Sequence, residues 1–385
     1  MPSTHAVPVR RRAAALLGAA VAAPVLLAGC TSASGSTEGA GGAITVAATD
    51  STCTLSTTTA PAGVVTFRVT NSGGQMNEFY VYDEAGTTIL AEVENIGPGL
   101  TRELTAELPA GTVTTACRPN GTGEGIRAAF TVSASTASPT ATSDALSAAV
   151  DDYRGFVETE SAALLAGTEK FVAAVTAGDV AAAKALYPTT RVHWERIEPV
   201  AESFAELDPK LDARVNDVEP GTEWTGWHRI EKALWADKSL AGMEKYADQL
   251  LADTKELVGK IPTVAITPTL LGNGATELLQ EVATGKVTGE EERYSRTDLW
   301  DFQANVDGAQ RAFTALGPVI LAKDPDLHAR ITSRFAALQA ELATHARGEG
   351  FVLYDALAKA QVRELADKVD ALAEPLSQVT AVVVR

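Results

Sequence analysis

The residues of this sequence best suited to chemistry are crowded into one part of it. There are five histidines in 385 residues, and four of them, His193, His228, His328 and His345, fall in the second half. All five tryptophans, at positions 194, 224, 227, 235 and 300, lie there too. Around His228 the chain reads Glu223-Trp-Thr-Gly-Trp-His-Arg-Ile-Glu-Lys-Ala-Leu-Trp, which sets His228 and Glu231 on one face of a helix. Trp224, Trp227, Ile230, Leu234 and Trp235 cover most other directions, so this helix is expected to be buried nearly all round. A carboxylate in such a place must be paired or must bind a metal, because desolvating it alone is too costly. A structural His–Glu hydrogen bond inside a core is the plainer alternative, and a lone His-x-x-Glu does not separate the two.

Two further acidic clusters stand beside it in the sequence. In His193-Trp-Glu-Arg-Ile-Glu-Pro, Glu195 and Glu198 are also three residues apart. Like charges at that spacing cost stability unless a cation sits between them. Arg196 makes a solvated acidic face the alternative, and Pro199 is expected to kink or start a helix because it lacks an N–H. In Thr297-Asp-Leu-Trp-Asp-Phe-Gln-Ala-Asn, Asp298 lies one turn before Phe302, on the apolar stripe of Phe302, Val306, Ala309, Phe313 and Leu316, with Asp301 beside it. A first helical turn that favours acids through the helix dipole explains these two equally well. One imidazole with several carboxylates on three helices suits iron, manganese or zinc better than copper(I). A di-iron bundle would need a Glu-x-x-His pair twice. The zincin signature His-Glu-x-x-His and a Ser–His–Asp arrangement are both absent. His328 and His345, on a polar segment with Arg330, Arg334 and Arg347, read as surface residues.

The elements that must position these groups follow from periodicity. From Asp144 to the C-terminus the apolar spacing is helical, with runs near 144–177, 189–206, 223–258, 268–286, 297–318, 325–347 and 358–384. Breakers such as Glu219-Pro-Gly, Leu271-Gly-Asn-Gly and Arg347-Gly-Glu-Gly separate them, and the pattern predicts an all-α bundle over 144–385. Residues 134–143, rich in Ser and Thr, read as a linker. Before it, 43–133 has the texture of a small β-sandwich, with strand-like runs such as Val64-Val-Thr-Phe-Arg-Val-Thr and Glu78-Phe-Tyr-Val-Tyr between turn clusters. That segment holds no histidine, so a blue-copper centre of two His and a Cys cannot form in it. Met76, Glu78 and the cysteines leave room for an irregular site, with a structural or docking sandwich as the simpler expectation.

The N-terminus explains an odd number of cysteines. Arg10-Arg-Arg, an apolar run from Ala13 to Ala28 and small residues before Cys30 describe an export signal over 1–29, too short and Ala-rich to span a membrane. Leu27-Ala-Gly-Cys resembles the bacterial lipobox, in which the cysteine is lipidated, and two acyl chains suffice for stable anchoring. Residues 30–42 then form a flexible tether. An exported chain meets an oxidising compartment, so Cys53 and Cys117 are expected to form a disulfide. The formal charge of −17 becomes −20 once the three leader arginines are gone, which excludes a nucleic-acid binder and suits a cation. Hydrophobic residues at 45% and charged residues at 21% are enough for two globular cores.

Several blocks together carry a resemblance. Glu92-Val-Glu-Asn-Ile-Gly-Pro-Gly-Leu-Thr, His193-Trp-Glu-Arg-Ile-Glu-Pro-Val-Ala-Glu-Ser-Phe, Gly226-Trp-His-Arg-Ile-Glu-Lys-Ala-Leu-Trp and Thr297-Asp-Leu-Trp-Asp-Phe-Gln-Ala-Asn-Val-Asp-Gly-Ala resemble the EfeM/EfeO family of extracytoplasmic iron-uptake components. The resemblance implies a cupredoxin-like β-sandwich followed by an imelysin-like helical bundle. It implies iron, ferrous or ferric, as the ion, with zinc or copper as alternatives. It also implies a membrane permease and a haem peroxidase as partners, and a place in the cell envelope, at the extracytoplasmic face of the plasma membrane or in the periplasm. Carried over residue by residue, the metal site is His228 and Glu231, then Glu195 and Glu198, then Asp298 and Asp301, with Asp212 a further acid. A second metal site near Glu78, Cys53 and Cys117 is implied for the sandwich, and a disulfide between the cysteines would exclude thiolate ligands there. No catalytic residue is implied. The competing readings are a zinc metallopeptidase of the imelysin type, with Glu231 as its base, and a polysaccharide-binding envelope protein.

Overall fold

Alternation in the first part of the chain builds two facing sheets. The computed structural model describes residues 42–135, 143–218 and 221–384, so the expected leader, Cys30, nearly all of the tether and most of the linker lie outside the described residues. Nine strands follow in order: β1 (Ile44–Ala48), β2 (Cys53–Leu55), β3 (Thr59–Pro61), β4 (Gly63–Asn71), β5 (Asn77–Tyr82), β6 (Ile89–Ile96), β7 (Thr101–Leu108), β8 (Gly111–Pro119) and β9 (Ile126–Ser133). One sheet has the order β2-β1-β4-β7 and the other β3-β9-β8-β5-β6. Val65, Phe67 and Val69 of β4 point into the sandwich with Ile44 and Val46 of β1, while Thr66 and Arg68 point out. The Cys53–Cys117 disulfide ties β2 to β8 across the two sheets, with a Cα–Cα distance of 5.6 Å.

Strand β5 departs from simple alternation, because all six of its residues are buried. Phe79 and Val81 enter the sandwich core. Glu78, Tyr80 and Tyr82, on the other face, are covered by the helical part of the chain. The junction is hydrogen bonded: Ile89 N–H donates to the Ser203 carbonyl at 2.9 Å, and Asn273 Nδ2 donates to the Thr105 carbonyl at 2.9 Å.

The helical part comprises α1 (Asp144–Thr176), α2 (Val180–Glu195), α3 (Glu198–Ala201), α4 (Asp208–Leu211), α5 (Gly226–Lys232), α6 (Glu244–Lys260), α7 (Pro268–Thr284), α8 (Asp298–Lys323), α9 (Pro325–Thr344), α10 (Lys359–Leu376) and α11 (Val379–Val384). Helix α1 starts at Ser143, whose side chain accepts the Leu146 N–H at 3.2 Å. A single apolar core joins these helices, from Tyr153 and Phe171 of α1 to Phe302, Phe313 and Leu316 of α8. Among the described residues, no helix is long and apolar enough to cross a membrane.

Three expected helices are broken: the run at 358–384 divides between α10 and α11, and the other two breaks lie beside the chemistry. The run at 189–206 begins earlier, at Val180, and stops at Glu195, and Pro199 sits in the first turn of the short α3, where its missing N–H costs nothing. The run at 223–258 is interrupted after α5 by a π-helical turn at Ala233–Asp237 and by Lys238 at φ 54°. Such turns often mark functional positions in helices. His345 also departs from expectation: only 3% of it is exposed, because the hairpin β10 (Ala346–Arg347) and β11 (Gly350–Phe351) folds the chain back at the end of α9. His328 is half-buried, its ring tilted against that of Phe313 with centroids 5.2 Å apart.

Candidate metal centre

Helix α5 is short, and its placement depends on one glycine. Gly226 has φ +81°, and a Cβ there would overlap the carbonyl oxygen of Leu211, so only glycine lets the start of α5 press against the end of α4. That contact carries Asp212, just after α4, to 3.5 Å from His228 Nε2. Trp227, packed 4.9 Å from the Phe171 ring, locks the helix against α1. His228 is 1% exposed and Glu231 is fully buried, as the tryptophan-rich pattern predicts.

The two ring nitrogens of His228 face different partners. Nδ1 lies 3.3 Å from Glu231 Oε2. The other oxygen of Glu231 accepts the backbone N–H groups of Tyr294 at 2.8 Å and Ser295 at 2.6 Å. Glu231 is thus a fixed carboxylate that orients the ring, the arrangement seen behind metal-binding histidines. Nε2 faces Asp212 Oδ1 at 3.5 Å and Glu291 Oε1 at 3.4 Å and meets hydrogen-bond geometry with neither. Asp212, His228 and Glu291 converge so that their ligand atoms lie within 4.8 Å of one another. Two other triads converge as closely: His228 with Glu231 and Glu292, and Glu195 with Glu198 and Asp212. The free Nε2 favours the first, since a neutral imidazole has a single nitrogen lone pair to give.

Electrostatics separates the acids into two groups. Burial alone would raise the Asp212, Glu231 and Glu291 carboxyls, yet all three are held below the ordinary range. Arg191 and His228 do this for Asp212, His228 and two backbone N–H groups for Glu231, and Arg214, Lys286 and His228 for Glu291. These carboxylates are ionised at neutral pH. By contrast, burial and neighbouring acids push Glu292 and Asp301 well up, and burial lifts Asp298 to about 6. For His228, burial and Arg191 both favour the neutral ring, but the Glu231 and Glu291 carboxylates and Asp212 outweigh them and raise it to about 10. An incoming cation must therefore displace a proton from the ring.

The remaining expected residues sort by what they touch. Glu195 and Glu198 are buried against Lys286, whose Nζ lies 3.0 Å from Glu195 Oε2 and 3.3 Å from Glu198 Oε2. Asn305 Nδ2 donates to both carboxylates, at 3.2 and 2.8 Å. An internal ammonium thus holds the pair that the sequence offered to a metal. Asp298 accepts the Glu292 N–H at 3.1 Å and keeps one oxygen without a partner, while neither oxygen of Asp301 has a hydrogen bond. Glu78 is not brought to the cysteines: Cys117 lies in the sandwich core, and Glu78 is on the opposite face of the sheet, accepting from Tyr80 Oη at 2.9 Å. The cysteines are oxidised to a disulfide, so no thiolate is available to a metal in the sandwich. Sequence reasoning missed Glu291, Glu292, Arg191, Lys286 and Asn305. The run Glu290-Glu291-Glu292 was the visible signal, but a run of charge reads as a solvated face until its surroundings are known.

Between the outer face of β5 and β6 and the helices runs a cleft of about 1080 Å³. Glu78, Tyr80 and Glu94 line it on the strand side, and Asp212, Glu198 and Glu291 line it on the helix side. The favoured triad therefore has two of its members on the wall of an open, acid-lined passage.

The chain has relatives. The curated protein named "Iron uptake system component EfeO" from Escherichia coli O1:K1 is 39% identical over 345 residues, covering 88% of this chain and 91% of that one. The chain belongs to the EfeO family. EfeO proteins of Escherichia coli K12 and Shigella flexneri match at 38% over the same share. The imelysin family model matches residues 149–379, and the cupredoxin-like domain model residues 19–132. The fold is accordingly a cupredoxin-like sandwich followed by an imelysin-like helical bundle, and the triad at His228 lies in the imelysin part. A crystal structure described as an iron-regulated protein A precursor from Parabacteroides distasonis superposes with a TM-score of 0.48 at 17% identity, covering 64% of this chain and 97% of that one.

Proposed function

We propose that this EfeO-family chain is an extracytoplasmic iron carrier that takes an iron ion from the cleft into the site formed by His228, Asp212 and Glu291. It is held at the membrane by a lipid on Cys30 and hands the ion to a membrane permease, working beside a haem peroxidase. The observation that carries this reading is the free Nε2 of His228 between two ionised carboxylates on the wall of the cleft. One imidazole and two carboxylates form a hard, oxygen-rich donor set, which suits ferrous or ferric iron better than copper. Glu292, Asp298 and Asp301 stand behind it as further acids, and Glu231 as the group that sets the ring.

We read the chain as a carrier rather than a metallopeptidase. A hydrolytic base needs a carboxylate free to take a proton from metal-bound water. Glu231 has one oxygen committed to two backbone N–H groups and the other to His228, and its carboxyl is held below the ordinary range, which makes it a weak base.

Calorimetry with ferrous and ferric iron on the wild type and on a His228→Ala, Glu231→Ala double variant tests the proposal. Loss of the tight phase in the variant supports it. Equal affinity in both proteins would move the site elsewhere.

A further inference from the structure

The most unusual group in the cage is a base. Arg191, on α2, is fully buried, and its guanidinium touches five carboxylates. Nη1 is bonded to Asp212 and Nη2 to Glu195, while Nη2 also lies 3.5 Å from Glu291. Nε is 2.7 Å from Glu292 and 3.5 Å from Asp301, in hydrogen-bond geometry with neither. So many acceptors around one donor group is more than a stable structural pair requires. Asp212 and Glu291 are also the two carboxylates that flank His228 Nε2, so the guanidinium binds the very groups an entering ion would use.

We propose that Arg191 is a displaceable internal counter-cation. It holds the cage together when the cage is empty, and the arriving metal takes its place on Asp212 and Glu291. This rests on the functional reading above. Removing every positive charge from such a nest would leave buried carboxylates uncompensated, which folded proteins do not tolerate. Keeping the guanidinium on Asp212 and Glu291 while a dication binds the same oxygens would set like charges side by side. Exchange satisfies both conditions. Glu195, Glu292 and Asp301 offer the displaced guanidinium a second set of acceptors deeper in the cage, and the unsatisfied Nε already faces two of them. Lys286 stays on Glu195 and Glu198, and Arg214, 2.9 Å from Glu291 Oε2, stays at the cleft side. When the ion leaves, the guanidinium returns, so the same residue that tempers affinity also favours release.

The test uses the full chain with anaerobic ferrous iron, and with zinc as a redox-stable probe. Wild-type binding that depends on His228 is measured first; its absence would overturn the functional reading. With that binding in hand, Arg191→Met, checked for folding by circular dichroism, is expected to bind either ion about tenfold tighter and to release it more slowly. Arg191→Lys, which keeps the charge, is expected to return affinity to within about threefold of wild type. Unchanged or weaker binding by folded Arg191→Met would overturn the proposal and make Arg191 a fixed scaffold. If Arg191→Met does not fold, crystal structures of the wild type with and without zinc decide. A guanidinium moved off Asp212 in the loaded state supports exchange, and one still bonded to Asp212 refutes it.

Discussion

The molecule carries two buried collections of acid, one around His228 and one over the rest of the cleft lining, where Glu78 and Glu94 of β5 and β6 face Asp208 and Glu281 of the helices, and they are balanced in opposite ways. In the cage, carboxylates are matched by Arg191, Lys286 and the His228 ring, and Asp212, Glu231 and Glu291 stay ionised. Over the rest of the cleft wall, burial and mutual repulsion dominate. Glu94, Asp208 and Glu281 are each raised to about 7. Glu78 is raised by burial in spite of Arg118, 3.8 Å away. Where the cations win, at Asp212, Glu231 and Glu291, the carboxylate stays ionised, while acids whose burial outweighs their cations, such as Glu94 and Glu281, titrate near neutrality. The first suits a place where an ion rests, and the second a passage through which it moves.

Glu291→Gln and Glu94→Gln break this comparison most sharply. Glu291→Gln is expected to weaken equilibrium iron affinity by about a hundredfold. Glu94→Gln should change affinity by no more than about threefold and slow association instead, because it acts on the approach. Stopped-flow binding with calorimetry separates the two, and equal losses in both variants would erase the distinction between resting place and passage.

The disulfide draws the next contrast. Replacing Cys53 and Cys117 by Ala removes a cross-link between residues 64 apart, worth about 4 kcal/mol in the chain-entropy view, and should lower the denaturation midpoint of the sandwich. Iron affinity below that midpoint should be unchanged. A parallel loss of affinity would mean that the sandwich helps to build the cage.

A smaller effect concerns pH. In the metal-free protein His228 is raised from 6.5 to about 10, so its charged ring contributes stability that is complete below pH 6.5 and lost as pH rises through about 10. Melting temperature should therefore fall more steeply between these limits in the wild type than in His228→Gln. On the cleft wall, a rise in pH from 6 to 8 ionises Glu94, Asp208 and Glu281 and should speed iron association without an equal change in release.

How much of this was legible in the sequence follows from what periodicity records. The sandwich-then-bundle order and the pairing of His228 with Glu231 are local patterns, and both could be read directly. Asp298 was readable because it shares a stripe with Phe302 on α8, where apolar neighbours announce burial, and Asp301 lies beside that stripe. Glu291 and Glu292 lie between helices, where no period reports which way a side chain faces. Arg191 and Lys286 look like ordinary surface bases, and only the tertiary contacts that enclose them reveal internal counter-ions. The π-helical turn after α5 escaped notice because apolar spacing changes little over one turn. The resemblance implied Glu78 beside the cysteines, but Phe79, opposite Cys117, turns inward, which sends Glu78 to the cleft.

Anomalous diffraction at the iron edge, from crystals of the full chain loaded anaerobically, tests the central claim most directly. The account predicts a peak within coordination distance of His228 Nε2, Asp212 and Glu291. A single peak on the Glu78 face of the cleft, with the cage empty of iron, would contradict it.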